Sequence, residues 1–116
     1  MDTDRLTRDW LAGMGYINAK VEHYNAYTRR RNDLWGFDRI AFQPSVDGVL
    51  LVQNTTHEHA KERLAKVRAN KEAMAWLSQP RRFGVVLGWR KIKDGKRSRA
   101  VPTILNCKPG GHESAD

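Results

Sequence analysis

Three side chains with oxygen donors, Glu22, Asp38 and Gln53, fall on segments of this chain that read as β-strands. Asp38 opens the run "DRIAFQ" and Gln53 closes the run "VLLVQ", while Glu22 lies in the aromatic and β-branched stretch from Tyr16 to Asn25. Strand edges of one sheet bring together groups far apart in sequence, so these three can meet at one rim. Hard cations such as Mg²⁺ or Mn²⁺ take oxygen ligands and accept a neutral carbonyl among carboxylates. The residue types therefore point to a metal site on Glu22, Asp38 and Gln53. Asp38 also has a plain structural reading, capping the turn before its strand or pairing with Arg39.

The elements that must hold these groups follow from periodicity and turn chemistry. Residues 3 to 14 predict a helix with Leu6, Trp10, Leu11 and Met14 on one face, ended by Gly13 or Gly15. "PSVDG" carries Pro44 and Asp47-Gly48, which favour a reversal between the second and third strands. The continuous apolar run "VLLVQ" suits a central strand buried on both faces. A helix from about His57 to Ser78 follows, with Thr55 and Glu58 matching a capping box and Ala60, Leu64, Val67, Met74 and Leu77 near one stripe. "RRFGVVLGWRKI" alternates as a strand, with Phe83, Val85, Leu87 and Trp89 on one face, "KDGK" turns, and "AVPTILN" closes the sheet. The order α-β-β-β-α-β-β predicts an α/β protein. Its first three strands form an antiparallel meander, and a helical crossover makes the next strand parallel, giving a mixed sheet. One domain over 1–108 and a loose tail over 109–116 are expected.

Charge narrows the function. Lys plus Arg number 21 against 13 Asp plus Glu, a net charge of +8 that favours a polyanionic partner, nucleic acid above all. Arg29, Arg30 and Arg31 form one cluster with Trp35 close behind. Eight basic residues between Arg81 and Arg99, Arg90 and Lys91 among them, face the lone acid Asp94. Such clusters neutralise phosphates and make binding fall steeply with salt. Trp35 or Tyr27 can stack on an unpaired base, although Trp35 packed on the first helix is the simpler expectation. Nothing resembles a base-reading helix, so recognition of backbone and shape is expected. His59, near a helix start, is placed to meet a phosphate. His57 and His59, two apart, point to nearly opposite sides and do not share a zinc ion.

Other classes are disfavoured. Cys107 is the only cysteine, which leaves no internal disulfide and no cysteine-based zinc cluster. It lies near the expected tail without an obvious catalytic partner, no Ser sits in a Gly-flanked elbow, and no Gly-rich nucleotide loop is present. "MDTDRLTRDW" lacks the apolar core of a signal peptide, and no apolar run approaches the ~20 residues that span a bilayer. A soluble, cytoplasmic protein with no membrane partner is expected.

This order of elements and residues resembles the PD-(D/E)xK nuclease superfamily, whose core is α-β-β-β-α-β. Within it the chain is similar to small bacterial and phage proteins with a Holliday-junction-resolvase-like layout. The resemblance rests on Gly15-Tyr16, "VEHYN", "DLWGF" with Asp38, "VQNTT" and "GWRK", in that order from about Leu6 to Lys91. It implies a restriction-endonuclease-like fold and a Mg²⁺- or Mn²⁺-dependent endonuclease acting on DNA, branched or nicked DNA included, in a bacterial cell or phage-infected host. In active members an Asp and a Glu hold the metal and a Lys helps to activate water. Carried over, Asp38 is the first ligand, Gln53 takes the Glu position and Thr55 stands where the Lys belongs. Glu22 is an extra acidic ligand, with Asp4 as an alternative acid from the first helix. Gln adds no negative charge, which weakens metal binding, and Thr cannot polarise water as an ammonium does. Two readings follow. A weakened nuclease uses Glu22, Asp38 and Gln53 and borrows a cation, Lys61 or Arg63, from the next helix; or the site is inactive and the fold persists as a nucleic-acid-binding protein. A small module that binds an acidic protein is a third expectation. Relatives of the resolvase type work as dimers, which implies a homodimer.

Overall fold

The computed structural model describes residues 1–21 and 23–108, with the side chains at 23–25 and 30–32 outside that description. Glu22 and the expected tail at 109–116 therefore lie outside the described residues. Helix α1 (Thr3–Gly13) begins where the Asp2 carboxylate accepts a hydrogen bond from Arg5 N at 3.1 Å, satisfying one of the free N–H groups of the first turn. Leu11 is buried on its inner face, flanked by half-buried Leu6 and Trp10. Met14, expected on that face, is the exposed C-cap, because the helix stops one residue earlier and Gly15 turns the chain at φ +89°.

The strands are β1 (Ile17–Lys20), β2 (His23–Asn25), β3 (Arg30–Asn32), β4 (Arg39–Phe42), β5 (Val49–Thr56), β6 (Arg82–Asp94) and β7 (Arg97–Asn106). Five of them form a mixed sheet in the order β1-β4-β5-β6-β7, and β2 and β3 pair as a separate hairpin. The single first strand expected through Asn25 is thus two: β1 pairs with β4 only as far as Lys20↔Arg39, where β4 itself begins. The β1–β4 and β4–β5 pairings are antiparallel and β5–β6 is parallel, as short turns and a helical crossover require.

That crossover is not the one long helix expected over 57–78. A 3₁₀ turn (His57–His59) leads into α2 (Ala60–Arg68), and α3 (Lys71–Leu77) follows after a break. Asn70 makes the break by capping α3, its Oδ1 accepting from Ala73 N at 3.0 Å. The predicted Thr55–Glu58 capping box is also absent. The parallel ladder with β6 runs to Thr56↔Trp89, so Thr55 is a buried strand residue, and no side chain caps the following turn.

Two apolar layers cover the sheet. Phe37, Leu51, Val67, Leu77 and Val86 pack on the α2/α3 face, and Leu11, Ala41, Val52, Leu87 and Trp89 on the α1 face. Trp89, on the apolar strand face expected from sequence, is core: its Nε1 donates to Thr7 Oγ1 at 2.9 Å and its ring meets Trp10 edge-on at 6.4 Å. Trp35 packs on the α2/α3 layer rather than against α1, and Trp76 lies under the Arg82 guanidinium at 5.6 Å. Among the described residues no helix is long and apolar enough to cross a membrane.

Cys107, close to the expected tail, also belongs to the core. Its N donates to Gly84 O at 2.8 Å and its side chain is buried. Burial pushes the thiol up to about 12, partly opposed by Arg68. The folded state therefore keeps a proton that the unfolded chain loses at lower pH. The stabilisation is complete below the ordinary thiol range and falls as pH rises toward 12. We expect iodoacetamide at pH 8 to label the native protein far more slowly than the urea-unfolded chain. Equal rates would show an accessible thiolate.

Candidate functional site

The rim where β4 begins and β5 and the sheet-bound part of β6 end holds the residues singled out for chemistry. Asp38 immediately precedes β4, and its backbone is pinned on both sides: Val21 N donates to Asp38 O at 2.9 Å, and Asp38 N donates to Val52 O at 2.8 Å. Its carboxylate Oδ2 accepts from Asn54 N at 2.9 Å. A side-chain oxygen thus takes the place of a ladder carbonyl at the edge of the sheet, and Asp38 is only 8% exposed. The expected pairing of Asp38 with Arg39 is not how Arg39 is used. Arg39 turns to the α1 side, where Nη1 donates to both oxygens of Asp4 at 3.0 and 3.2 Å and Nε donates to Asn18 Oδ1 at 2.8 Å.

The same alternation divides β5. Leu51, Gln53 and Thr55 project toward α2 and α3, while Val52 and Asn54 project toward α1. Gln53 is 4% exposed, and its Oε1 is a buried oxygen with no hydrogen-bond partner among the described residues. Thr56 Oγ1, three residues on, is in the same condition. Buried polar atoms are nearly always paired, so two orphans at the end of one strand are notable.

Asn54 was not foreseen, yet it organises the rim. Its backbone N is held by Asp38, its Nδ2 donates to Asp4 Oδ1 at 3.1 Å, and its Oδ1 accepts from Thr3 Oγ1 at 2.9 Å. One residue therefore joins the carboxylate beside β4 to the carboxylate of α1. Lys20 Nζ adds an ion pair to Asp4 at 3.5 Å. Asp4, Lys20 and Arg39 border an open cavity of about 530 Å³ with Asp2, Arg5 and Arg8. The signal that could have found Asn54 is its odd-even position between Gln53 and Thr55, which assigns it to the helix-borne acid's face.

The remaining sites are more scattered. Lys61 and Arg63 are exposed on α2, and Lys61 borders a cavity with His57, Thr103 and Leu105 on the β7 side. His57 Nδ1 lies 2.8 Å from Thr103 Oγ1. His59 is exposed, 3.8 Å from Glu62. Arg29 is exposed at φ +54°, and Arg30 and Arg31 lie in β3 with side chains outside the description. Arg90 and Lys91 are exposed on β6 beyond its contact with β5.

Asp38 and Gln53 carry oxygen donors of the kind a hard divalent cation accepts. Among the described residues no three Asp, Glu, His or Cys side chains cluster closely enough to hold a metal. Compared with known proteins, the chain matches no family, no curated protein and no solved structure.

Proposed function

We propose that this chain is a metal-dependent, endonuclease-like protein with a restriction-endonuclease-like layout that acts on the DNA backbone. One observation carries the reading. The Asp38 carboxylate is fixed by the backbone N–H of Asn54, and one residue earlier in β5 the Gln53 side-chain oxygen is buried without a hydrogen-bond partner among the described residues. Asp38 and Gln53 would hold Mg²⁺ or Mn²⁺, with Asp4 tied to the same rim through Asn54. A bound divalent ion would supply charge stabilisation on the phosphate being cut. The chain's own contribution is positional: Asn54 orients two carboxylates, and Arg39 balances the charge of Asp4. The +8 net charge supports a phosphate-backbone partner.

A specific observation favours the second reading, a catalytically inactive DNA-binding protein. Thr55 is buried and brings no cation, and among the described residues no basic side chain bonds Gln53 Oε1. Incubating the protein with labelled duplex, single-stranded and four-way DNA in Mg²⁺, Mn²⁺ or EDTA separates the two. Divalent-dependent cleavage supports the nuclease; salt-sensitive binding that EDTA leaves unchanged, with no cut product, supports the binder.

The Gln53→Glu variant probes the metal pair independently of cleavage. A carboxylate buried at the position of Gln53, which is 4% exposed, costs on the order of 1–3 kcal/mol without a counter-ion. We expect a lower Tm in EDTA and its recovery in millimolar Mg²⁺ or Mn²⁺, since ligand binding to the folded state stabilises it. A Tm that drops and stays down with metal would remove the proposed ligand pair.

A further inference from the structure

The β6–β7 hairpin outgrows the sheet. The last pair that β5 makes with β6 is Thr56↔Trp89, so the five pairs from Arg90↔Val101 to Asp94↔Arg97 bond only to each other. At about 3.4 Å per residue this two-stranded ribbon reaches roughly 17 Å past the sheet. Gly95, at φ +67°, opens its two-residue turn, the positive value that a tight hairpin needs at that place.

The ribbon's charge is distributed in a way that a solvated loop does not require. Arg90, Lys91, Lys93, Lys96, Arg97 and Arg99 are all exposed, against Asp94, which pairs with Arg99 at 3.6 Å. Trp89 faces α1, so alternation places Lys91 and Lys93 on that face. Arg90 falls on the other face, and the cross-strand register adds Arg97 and Arg99 to it. Lys96 occupies the tip. Cations therefore line both faces and the end.

We infer that this ribbon is an arm that enters the major groove of B-form DNA, with phosphates contacted on both groove walls. A two-stranded ribbon fits a groove about 12 Å wide, whereas the deep, narrow major groove of duplex RNA does not admit it. A flat anionic surface, whether a membrane or an acidic protein, would engage one face and leave the other without purpose. The inference goes beyond the cleavage reading and does not depend on it.

The test is fluorescence anisotropy in EDTA, where cleavage is silent, with a labelled DNA duplex of about 20 base pairs. The probes for comparison are an RNA duplex of equal length and phosphatidylserine-containing vesicles. Two variants neutralise one face each: Arg90→Gln with Arg97→Gln and Arg99→Gln, and Lys91→Gln with Lys93→Gln. Lys66→Gln with Lys71→Gln, exposed on α2 and α3, is the charge control. Circular dichroism verifies that each variant is folded.

Each lost phosphate contact lowers the slope of log K against log salt by about 0.9. The expected decreases are roughly 3 for the arginine face and roughly 2 for the lysine face, with little change in the control. Loss confined to one face, an equal loss in the control, or RNA or vesicles bound as tightly as DNA would overturn the inference.

Discussion

If the chain is the proposed nuclease, Asp38→Asn is expected to lower its divalent-dependent DNA cleavage by at least on the order of 100-fold while leaving the protein folded. Asparagine keeps a carbonyl oxygen at the same reach, so the hydrogen bond now running from Asn54 N to Asp38 Oδ2 at 2.9 Å has an acceptor. The substitution removes the negative charge, and with it the charged member of the proposed ligand pair. Asp38→Ala differs: it also leaves Asn54 N without that acceptor at a largely enclosed rim, costing about 1–3 kcal/mol. Activity should thus be lost in both variants, and Tm should fall appreciably only in the alanine one. Denaturation curves beside a cleavage time course in Mn²⁺ make the comparison. Cleavage that persists in Asp38→Asn would assign the activity elsewhere and leave a DNA-binding protein.

Phe37→Ala carries the largest expected cost in stability. Phe37 is fully buried one residue before Asp38, and its ring lies so close to β6 that a Cβ added at Gly84 would come within 2.9 Å of it. Truncation of a buried aromatic costs about 3–5 kcal/mol, the transfer energy plus an unfilled cavity. A small domain has only about 5–15 kcal/mol in total, and each kcal/mol moves Tm by roughly 4–8 °C. A Tm decrease above about 12 °C is expected by calorimetry. The same truncation loosens the chain beside Asp38, so metal-dependent behaviour should weaken in step. A decrease of only a few degrees would show that the β4 entrance is held by its backbone hydrogen bonds alone.

Much of the architecture is legible without coordinates, because it is written in local patterns. Apolar periodicity marked α1 and the central strands, and Asp47-Gly48 and Gly95 marked reversals. A long helical segment between β5 and β6 required their parallel pairing. Each of these follows from the stereochemistry of a few consecutive residues. The charge excess, its clusters and the alternation of the basic ribbon are likewise sequence properties.

Tertiary structure decided the rest. A Thr followed three residues later by Glu suits a helix cap equally well in isolation. Thr55 became a strand residue because β6 offered eight consecutive partners to β5. Cys107 looked peripheral by position and is buried against Gly84, 23 residues away, while the Trp89 indole finds its partner in Thr7, 82 residues away. The rim shows the point most clearly. Shifting one residue along a strand changes the face, so Gln53 and Asn54 were destined for different neighbours. Only the packing of α1 revealed that Asn54, not Gln53, meets Asp4, across a separation of 50 residues. Residue types and periods are local information, whereas the partner of a buried polar group depends on which distant element the whole core brings against it.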